Sequence, residues 1–282
     1  MADYPEKILD GRAVAKHIEA EVAAEIERKM AAGATRPILA TIIVGENPSS
    51  VTYVRMKGNA CRRVGIEPKK VELPEQTTTE ELLSVIDELN ADPDVYGILL
   101  QHPVPRQIDE RACFDRIDPE KDVDGVGVNS LGKTALGLPG YRAATAQAIM
   151  NILNYYNIPL QGKAAVVIGR SPILGKPVAM LLLNANCTVT VTHTKTVDID
   201  KVVRRADIVV AACGVPRFVK PEWVKPGAVV IDAGYNAGNI GDVDEGAFEN
   251  ASLMTPVPGG VGPVTIATLI QQTLFYFCKR NK

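Results

Sequence analysis

The sequence has few of the side chains that bind metals or form disulfides. Its 282 residues include three histidines and five cysteines, and no two cysteines have the Cys-x-x-Cys spacing typical of metal sites. Scattered cysteines in odd number argue against a zinc site or a disulfide framework. We therefore expect no bound metal, largely buried thiols and a reducing, cytoplasmic location.

The sequence also lacks an excess of charge of one sign and long hydrophobic runs. Lys and Arg number 31 against 33 Asp and Glu, a formal net charge of −2. A nearly neutral chain gives no reason to expect nucleic acid or an anionic membrane as partner. No basic segment followed by an apolar stretch opens the chain and no run approaches a membrane span, so we expect neither a signal peptide nor a membrane anchor.

Strands and helices alternate along the chain, which predicts an α/β fold with parallel βαβ units. In the first half the patterns predict strands at 38–44, 69–73 and 95–100. The helices between them are predicted at 11–32, 49–64 and 79–90. In the second half, short strands are predicted at 165–168, 188–192, 207–211 and 228–231.

The length of the chain suits two domains. A Gly-rich passage at 131–140 separates the two halves, and a final apolar helix at 265–278 is expected to return to the first domain. We therefore predict one domain of residues 1–140 plus 265–282 and a second of residues 141–264.

The segment from Ala165 to Leu183, AVVIGRSPILGKPVAMLLL, predicts a strand, a tight glycine-bearing turn and a helix. Such a helix N-terminus favours an anion and, in an α/β sheet, commonly holds a dinucleotide pyrophosphate. The strict G-x-G-x-x-G spacing is absent, because the glycines here are Gly169 and Gly175. A turn without any ligand is the alternative interpretation.

Three further loops follow predicted strands of the second domain, where a doubly wound sheet binds its ligand. One contains His193, Thr194 and Lys195, and the absence of an acidic residue there favours NADP over NAD; Arg170 could add a contact to the 2′-phosphate. The alternative is that Thr194 and Lys195 are solvated. The other two loops are Cys213–Pro216 and Asp232–Tyr235.

The first domain alone gives weaker signals. Tyr53 and Lys57 are four residues apart on a predicted helix and therefore share one face, although a helical lysine is usually solvated. Gln101 follows a strand, and Asp122 and Asp124 lie in a loop where turn formation is the ordinary explanation.

At these residues the chain resembles the bifunctional methylenetetrahydrofolate dehydrogenase/cyclohydrolase family. The resemblance covers nearly the whole length in family order, through the segments VGENPSSVTYVRMKGNACRRVGI, GILLQHPVP, PEKDVDGVGVN, VVIGRSPILGKPVAMLL, TVTVTHTKT and TPVPGGVGPVT. It implies a catalytic domain facing a Rossmann-like NADP-binding domain across a cleft. It also implies a homodimer that oxidises 5,10-methylenetetrahydrofolate with NADP and then hydrolyses 5,10-methenyltetrahydrofolate to 10-formyltetrahydrofolate.

By the same resemblance, Lys57 is the catalytic lysine, Tyr53 packs against the folate ring system, Gln101 positions the lysine and Asp124 hydrogen-bonds the pterin. The resemblance gives substrate-binding roles to Tyr53, Asp124, Pro258, Gly259 and Gly262. The expected cofactor-binding residues are Gly169, Arg170, Ser171, Gly175, Thr194, Ala233, Tyr235 and Thr265.

Three departures from the family pattern accompany these matches. Ala143–Ala146 replaces the usual Pro-Cys-Thr-Pro except at Thr145, Gly127-Val128 replaces an aromatic–His–Pro sequence, and His102 replaces a common Leu. Two alternatives stay open at this point. One is a monofunctional NADP-dependent dehydrogenase on a folate or related pterin, and the other is a nucleotide-binding regulatory or scaffold protein without turnover.

Overall fold

The computed structural model describes residues 4–281, which divide into two compact units. The first unit comprises Lys16–Ala144 and the residues from Ile266 onward. The second unit comprises residues 4–15 and Thr145–Thr265. Each unit contains its own parallel β-sheet.

A three-stranded parallel sheet in the order β2-β1-β3 forms the centre of the first unit. Its strands are β1 (Ile38–Val44), β2 (Glu67–Leu73) and β3 (Val95–Leu100). The central strand β1 is almost continuously apolar, as expected for a parallel strand covered on both faces. The helices of this part of the chain are α1 (Gly11–Ala31), α2 (Pro48–Val64), α3 (Thr79–Ala91), α4 (Glu110–Arg116) and α5 (Val128–Ala135).

A five-stranded parallel sheet in the order β5-β4-β6-β7-β8 forms the centre of the second unit. Its strands are β4 (Ala164–Ile168), β5 (Thr188–Thr192), β6 (Ile208–Ala211), β7 (Val229–Asp232) and β8 (Leu253–Met254). The remaining α-helices are α6 (Ala144–Tyr155), α7 (Gly175–Asn184), α8 (Ile199–Val203) and α9 (Val261–Arg280). The buried core of the second unit includes Val166, Val209, Val230 and Phe248.

Residues 4–15 pack within the second unit, whereas the sequence pattern predicts them in the other domain. Ile8 forms a parallel bridge with Met254, which extends the sheet beyond β8. Lys7 Nζ donates to the carbonyl oxygens of Phe248 and Glu249, at 2.8 and 3.2 Å. These contacts are made by main-chain groups and by the end of one lysine side chain, which hydrophobic periodicity does not reveal, so no pattern in the sequence predicts them.

Helix α9 begins four residues earlier than predicted, at Val261, because Gly262 and Pro263 form its first turn, where proline costs no hydrogen bond. By length and composition α9 could cross a membrane, and it is the one helix within 4–281 of which this is true, a property the sequence analysis did not anticipate. Its most apolar stretch is 61% buried, as in the core helix of a water-soluble fold. In the first unit its Phe277 packs edge-on against Tyr96, with ring centroids 5.1 Å apart.

Two elements occupy segments where no regular structure was predicted. Helix α5 covers part of the Gly-rich passage, and α4 follows the Pro-rich turn after β3. Both helices are short and contain few buried residues, so periodicity is a weak signal for them. The short strand β8 was missed for the same reason.

A buried lysine ties the loop after α4 to the end of α3. Lys121 is 3% exposed, and its Nζ donates to the carbonyl oxygens of Leu89, Asn90 and Asp92 at 3.1, 2.7 and 2.7 Å. These are carbonyls at a helix C-terminus, which lack partners within the helix and which a cation stabilises. Burial lowers the pKa of Lys121, and the carboxylates of Asp118 and Asp92 oppose that effect.

We expect Lys121→Met to lower the free energy of unfolding by about 3 kcal/mol, because it leaves buried carbonyl oxygens without donors. Lys69→Met is the matched control, since Lys69 is 43% exposed and pairs with Asp92 at 3.1 Å. We expect that control to cost less than about 1 kcal/mol. Urea unfolding followed by circular dichroism measures both, and equal effects would contradict the role given to Lys121.

Candidate active site

Helix α2 places Lys57 on its buried face. Val54 and Cys61 are buried, and Lys57 lies three residues after the first and four before the second, so the three side chains follow one face. Tyr53 lies one turn before Lys57 and is half-buried, as Lys57 is. The helix therefore presents an aromatic ring and an amine side by side, as the four-residue spacing predicted.

Gln101 holds the lysine amine. It follows β3 directly, and its main-chain N–H donates to Ile42 O of β1 at 2.8 Å. Lys57 Nζ donates to Gln101 Oε1 at 2.9 Å, while Gln101 Nε2 donates to His102 O at 2.7 Å. The amide is thereby oriented with its oxygen toward the lysine. A neutral acceptor directs the amine without adding a charge that would favour its protonated form.

Asp124 is the third charged or polar group of this site, after Lys57 and Gln101. Burial raises its pKa to about 6, an effect that Asp122 reinforces and that Lys57 and His102 oppose. Burial likewise lowers the pKa of Lys57, against the influence of Asp124 and of the Cys61 thiol. Lys57 and Asp124 thus each oppose the pKa shift that burial causes in the other. The structure brings Lys57, Gln101 and Asp124 together within the first unit, and Tyr53 lies beside them on α2.

The second unit has a topological switch point at β4. The chain passes from β4 to β5 on one side of the sheet and then to β6 on the other side of β4. In open α/β sheets the crevice at such a point, outside the carboxyl ends of the strands, binds ligands. Gly169 follows β4 there, and its N–H donates to Thr192 O at the end of β5.

Glycine is required at both ends of the turn after β4. Gly169 has φ +121°, and a Cβ on it would collide with the carbonyl oxygen of Ala212, after β6. A Cβ on Gly175, the first residue of α7, would collide with the carbonyl oxygen of Gly169. The main chain therefore makes the close approach that a dinucleotide-binding turn needs, without the standard glycine spacing.

Arg170 and Thr194 lie exposed at this edge of the sheet, each shortly after a strand that borders the switch point. Ser171 is half-buried, and its Oγ accepts from Gly175 N at 3.3 Å. His193 N donates to Thr196 Oγ1 at 2.9 Å and Lys195 N donates to His193 Nδ1 at 3.2 Å, which turns the chain after β5. The described contacts leave a guanidinium and a hydroxyl at the surface, where an anionic group can reach them.

The remaining cofactor candidates lie in the same unit. Ala233 N donates to Ala211 O at 2.9 Å, so its loop adjoins the end of β6. Tyr235 is 58% exposed, and its hydroxyl donates to Asn239 Oδ1 at 2.7 Å. Thr265 Oγ1 donates to Val261 O at 3.1 Å in the opening turns of α9.

The candidate substrate loop also belongs to the second unit. Pro258 is exposed, Gly259 is buried with φ +108°, and Gly262 is exposed in the first turn of α9 rather than in the loop. A Cβ on Gly11, at the start of α1, would collide with the carbonyl oxygen of Gly260. The loop is therefore packed against a helix N-terminus.

Two buried aspartates shape these loops, and sequence reasoning did not single them out as organisers. Asp232 accepts from the N–H groups of Gly234, Asp242 and Val243, at 2.9, 2.9 and 3.0 Å. Asp242 Oδ2 accepts from the N–H groups of Cys213 and Gly214, at 2.8 and 2.7 Å. Burial raises the pKa of Asp232 to about 6, against these donors. Asp232 is the last residue of β7, and this position at the end of a strand was the available signal.

The departures from the family pattern fall at structured places. Ala143, Ala144 and Ala146 are buried at the start of α6, and Ala144 N donates to Asp124 O at 2.9 Å. Gly127 begins α5 as its N-cap. His102 Nδ1 lies 2.5 Å from Glu110 Oε1, so the replacement of a common Leu adds a hydrogen bond to a carboxylate next to Gln101.

Comparison with known protein families matches both parts of the chain. Residues 9–124 match the family described as tetrahydrofolate dehydrogenase/cyclohydrolase, catalytic domain. Residues 143–281 match the corresponding NAD(P)-binding domain. The chain belongs to the tetrahydrofolate dehydrogenase/cyclohydrolase family. This confirms the resemblance inferred from the motifs and the fold of two α/β domains.

Individual relatives agree over nearly the full length. The bifunctional protein FolD of Acidobacterium capsulatum is 60% identical over 269 residues, 95% of each chain. The crystal structure of FolD from Campylobacter jejuni matches with a TM-score of 0.94 at 41% identity, covering 97% of this chain and 99% of that one. The Trypanosoma brucei FolD, described in complex with NADP cofactor and an inhibitor, matches with a TM-score of 0.93 at 39% identity, covering 97% of both chains.

We expect Gln101→Glu to raise the pKa of Lys57, because a carboxylate 2.9 Å from the amine would favour the ammonium form. Asp124→Asn should change it in the opposite direction, because Asp124 raises that pKa in the wild type. NMR titration of lysines labelled with ¹³C at Cε measures both changes. Shifts of the same sign in the two variants would contradict the electrostatic description of this site.

Proposed function

We propose that the chain oxidises 5,10-methylenetetrahydrofolate with NADP and hydrolyses the 5,10-methenyl product to 10-formyltetrahydrofolate, with Lys57 as the catalytic residue of hydrolysis. The observation that carries the proposal is the hydrogen bond from Lys57 Nζ to Gln101 Oε1. A lysine whose pKa burial lowers, held by a neutral partner, is suited to proton transfer close to neutral pH.

Hydrolysis requires water to add to the cationic methenyl carbon and the carbon–nitrogen bond to the ring nitrogen to break. The neutral amine of Lys57 accepts a proton from the attacking water and, as ammonium, returns one to the departing nitrogen. One proton is released overall, because a cation and water give a neutral formamide. Gln101 keeps the amine in place through both transfers, and orientation is the larger part of its contribution.

Asp124 is proposed as the carboxylate that hydrogen-bonds the pterin, and Tyr53 as the ring that packs against it. With a pKa raised to about 6, Asp124 ionises within the range in which the enzyme would work. Pro258, Gly259 and Gly262 are proposed to line the folate site, with main-chain groups close to the ligand.

The second unit is proposed as the NADP-binding domain. The collision that a Cβ would cause at Gly169 and Gly175 supports this, because it shows a turn shaped for close approach. NADP supplies the acceptor for the hydride of the methylene carbon. Arg170, Ser171 and Thr194 would hold the 2′-phosphate of the ribose. Gly169 and Gly175 would hold the pyrophosphate. The remainder of the cofactor would be held by Ala233, Tyr235 and Thr265.

We also propose a homodimer located in the cytoplasm. Strand β5 lies at an edge of its sheet, and Val191, Val197 and Leu183 on and near it are exposed, which favours association of the second units. The five cysteines are all free thiols, as in a reducing compartment. Sedimentation equilibrium tests the dimer. The nearly neutral charge gives no support for a nucleic-acid or membrane partner.

We expect Lys57→Met to slow hydrolysis of methenyltetrahydrofolate by about 100-fold or more, since it removes the group that transfers the proton. The dissociation constant for NADP should stay unchanged. Loss of methenyl absorbance measures hydrolysis, and calorimetry measures binding. Lys69→Met, a surface variant in the same unit, serves as control and should hydrolyse normally. Wild-type rates in Lys57→Met would refute the assignment.

We expect Arg170→Ala to weaken NADP binding by about 10-fold to 100-fold, the loss of a charge-assisted hydrogen bond to the 2′-phosphate. Binding of NAD, which lacks that phosphate, should change little. Arg205→Ala removes an equal charge from an exposed position in the same unit and should leave both affinities as they are. Equal losses for NADP and NAD in Arg170→Ala would contradict the 2′-phosphate contact.

A further inference from the structure

Asp122 is a buried carboxylate surrounded by hydrogen-bond donors. It is 2% exposed. Its Oδ1 accepts from Gly125 N at 3.0 Å and from Val126 N at 3.4 Å. Its Oδ2 accepts from Gly127 N at 3.0 Å and from Ser130 Oγ at 2.9 Å. Burial raises the pKa of Asp122, and these four donors oppose that effect because they favour the ionised carboxylate.

The segment that contains Asp122 is fixed to the central sheet of the first unit. Asp122 forms a parallel bridge with Ile98 of β3, and Ile98 N donates to Lys121 O at 2.8 Å. A Cβ on Gly97 would lie 2.7 Å from Val123 Cγ1, so the next residue packs closely on the same strand. Asp122 therefore has a fixed position from which its carboxylate reaches forward along the chain.

Asp124 lies between the two ends of the turn that Asp122 closes. On its far side, Gly125 has φ +65°, and a Cβ there would collide with the carbonyl oxygen of Arg142. The carbonyl oxygen of Asp124 accepts from Ala144 N at 2.9 Å. The main chain on both sides of Asp124 is thus held, and the hydrogen bonds from residues 125–127 to Asp122 are what bend it into this turn.

We propose that Asp122 is a positioning residue for the folate site, which holds Asp124 beside Lys57 by closing the 122–130 turn around its own carboxylate. The proposal rests on the folate-binding role proposed above for Asp124. Asp122 contacts no substrate in this scheme. It acts through the geometry and the charge of the carboxylate two residues further on.

The charge of Asp122 also affects the pKa of Asp124. Asp124 faces Lys57 on α2, His102 in the loop after β3 and Asp122 in its own loop. Of these three groups Asp122 alone raises its pKa. Removal of the Asp122 charge should therefore lower the pKa of Asp124, so that Asp124 ionises at lower pH. A group that only held the loop in place would have no such effect.

The test compares Asp122→Asn with Ser130→Ala. Asparagine turns one oxygen into an NH₂ group that faces donors, and it removes the charge. Ser130→Ala removes a single hydrogen bond to Asp122 and keeps the charge. Both variants are assayed as the full chain for KM and kcat with methenyltetrahydrofolate, for KM with NADP, and for the pH dependence of the folate KM, which follows the ionisation of Asp124 because Asp124 acts in binding.

For Asp122→Asn we expect the folate KM to rise about 10-fold or more, from the loss of two hydrogen bonds. The NADP KM should stay within about twofold. The acidic limb of the pH profile should shift to lower pH. For Ser130→Ala we expect a smaller rise of the folate KM, about fivefold, with the acidic limb unmoved. Hydrogen exchange at Gly125, Val126 and Gly127 should accelerate in Asp122→Asn.

An unchanged folate KM and acidic limb in Asp122→Asn would overturn the proposal, and so would a parallel rise in the KM for folate and for NADP. If Asp122→Asn does not fold, Ser130→Ala decides, because a folate KM equal to that of the wild type would then refute the positioning role. Asp124→Asn separates the two proposals. If it leaves the folate KM unchanged, the proposed function of Asp124 fails, whereas a large effect there with none from Asp122→Asn refutes only the role of Asp122.

Discussion

The candidate active site depends on a lysine amine that is withdrawn from water and held by an uncharged oxygen. A carboxylate in place of Gln101 would keep Lys57 protonated, and free solvation would leave it at the ordinary pKa of a lysine. The first unit avoids both through the placement of Gln101 directly after β3, where its own N–H is bound to β1. The central strand β1 thereby fixes Gln101, and Gln101 in turn fixes the amine of Lys57.

Lys57 and Asp124 partly offset the effect of burial on each other's pKa, and this also follows from the withdrawal of the site from water. Each is drawn away from its ionised form by burial, and each favours ionisation of the other. His102, absent from the usual family pattern, adds a positive influence on Asp124 from the residue next to Gln101. The site of this chain is therefore electrostatically different from one with leucine there.

Much of this could be predicted from the sequence. The patterns located β1, β3 and β5 to the residue, because apolar or alternating runs bounded by turns are strong local signals. The shared face of Tyr53 and Lys57 followed from helical spacing alone, but their meeting with Gln101 and Asp124 is a contact between distant segments. Five residues separate Gly169 from Gly175, which is not the standard glycine spacing, so the turn is evident only from the collision that a Cβ on Gly169 would make with the main chain of Ala212. Lys121 was missed because its partners are carbonyl oxygens, which every residue has.

Both units use one device to shape loops at the carboxyl ends of strands. Main-chain N–H groups there have no strand partner, and burying them unpaired would cost free energy. In the first unit Asp122 accepts from residues 125–127, and in the second Asp232 and Asp242 accept from the loops after β6 and β7. A carboxylate can accept several such bonds at once, which an apolar side chain cannot. Buried charge at these places therefore serves loop conformation, and a change from Asp to Asn there is a larger change than its shape suggests.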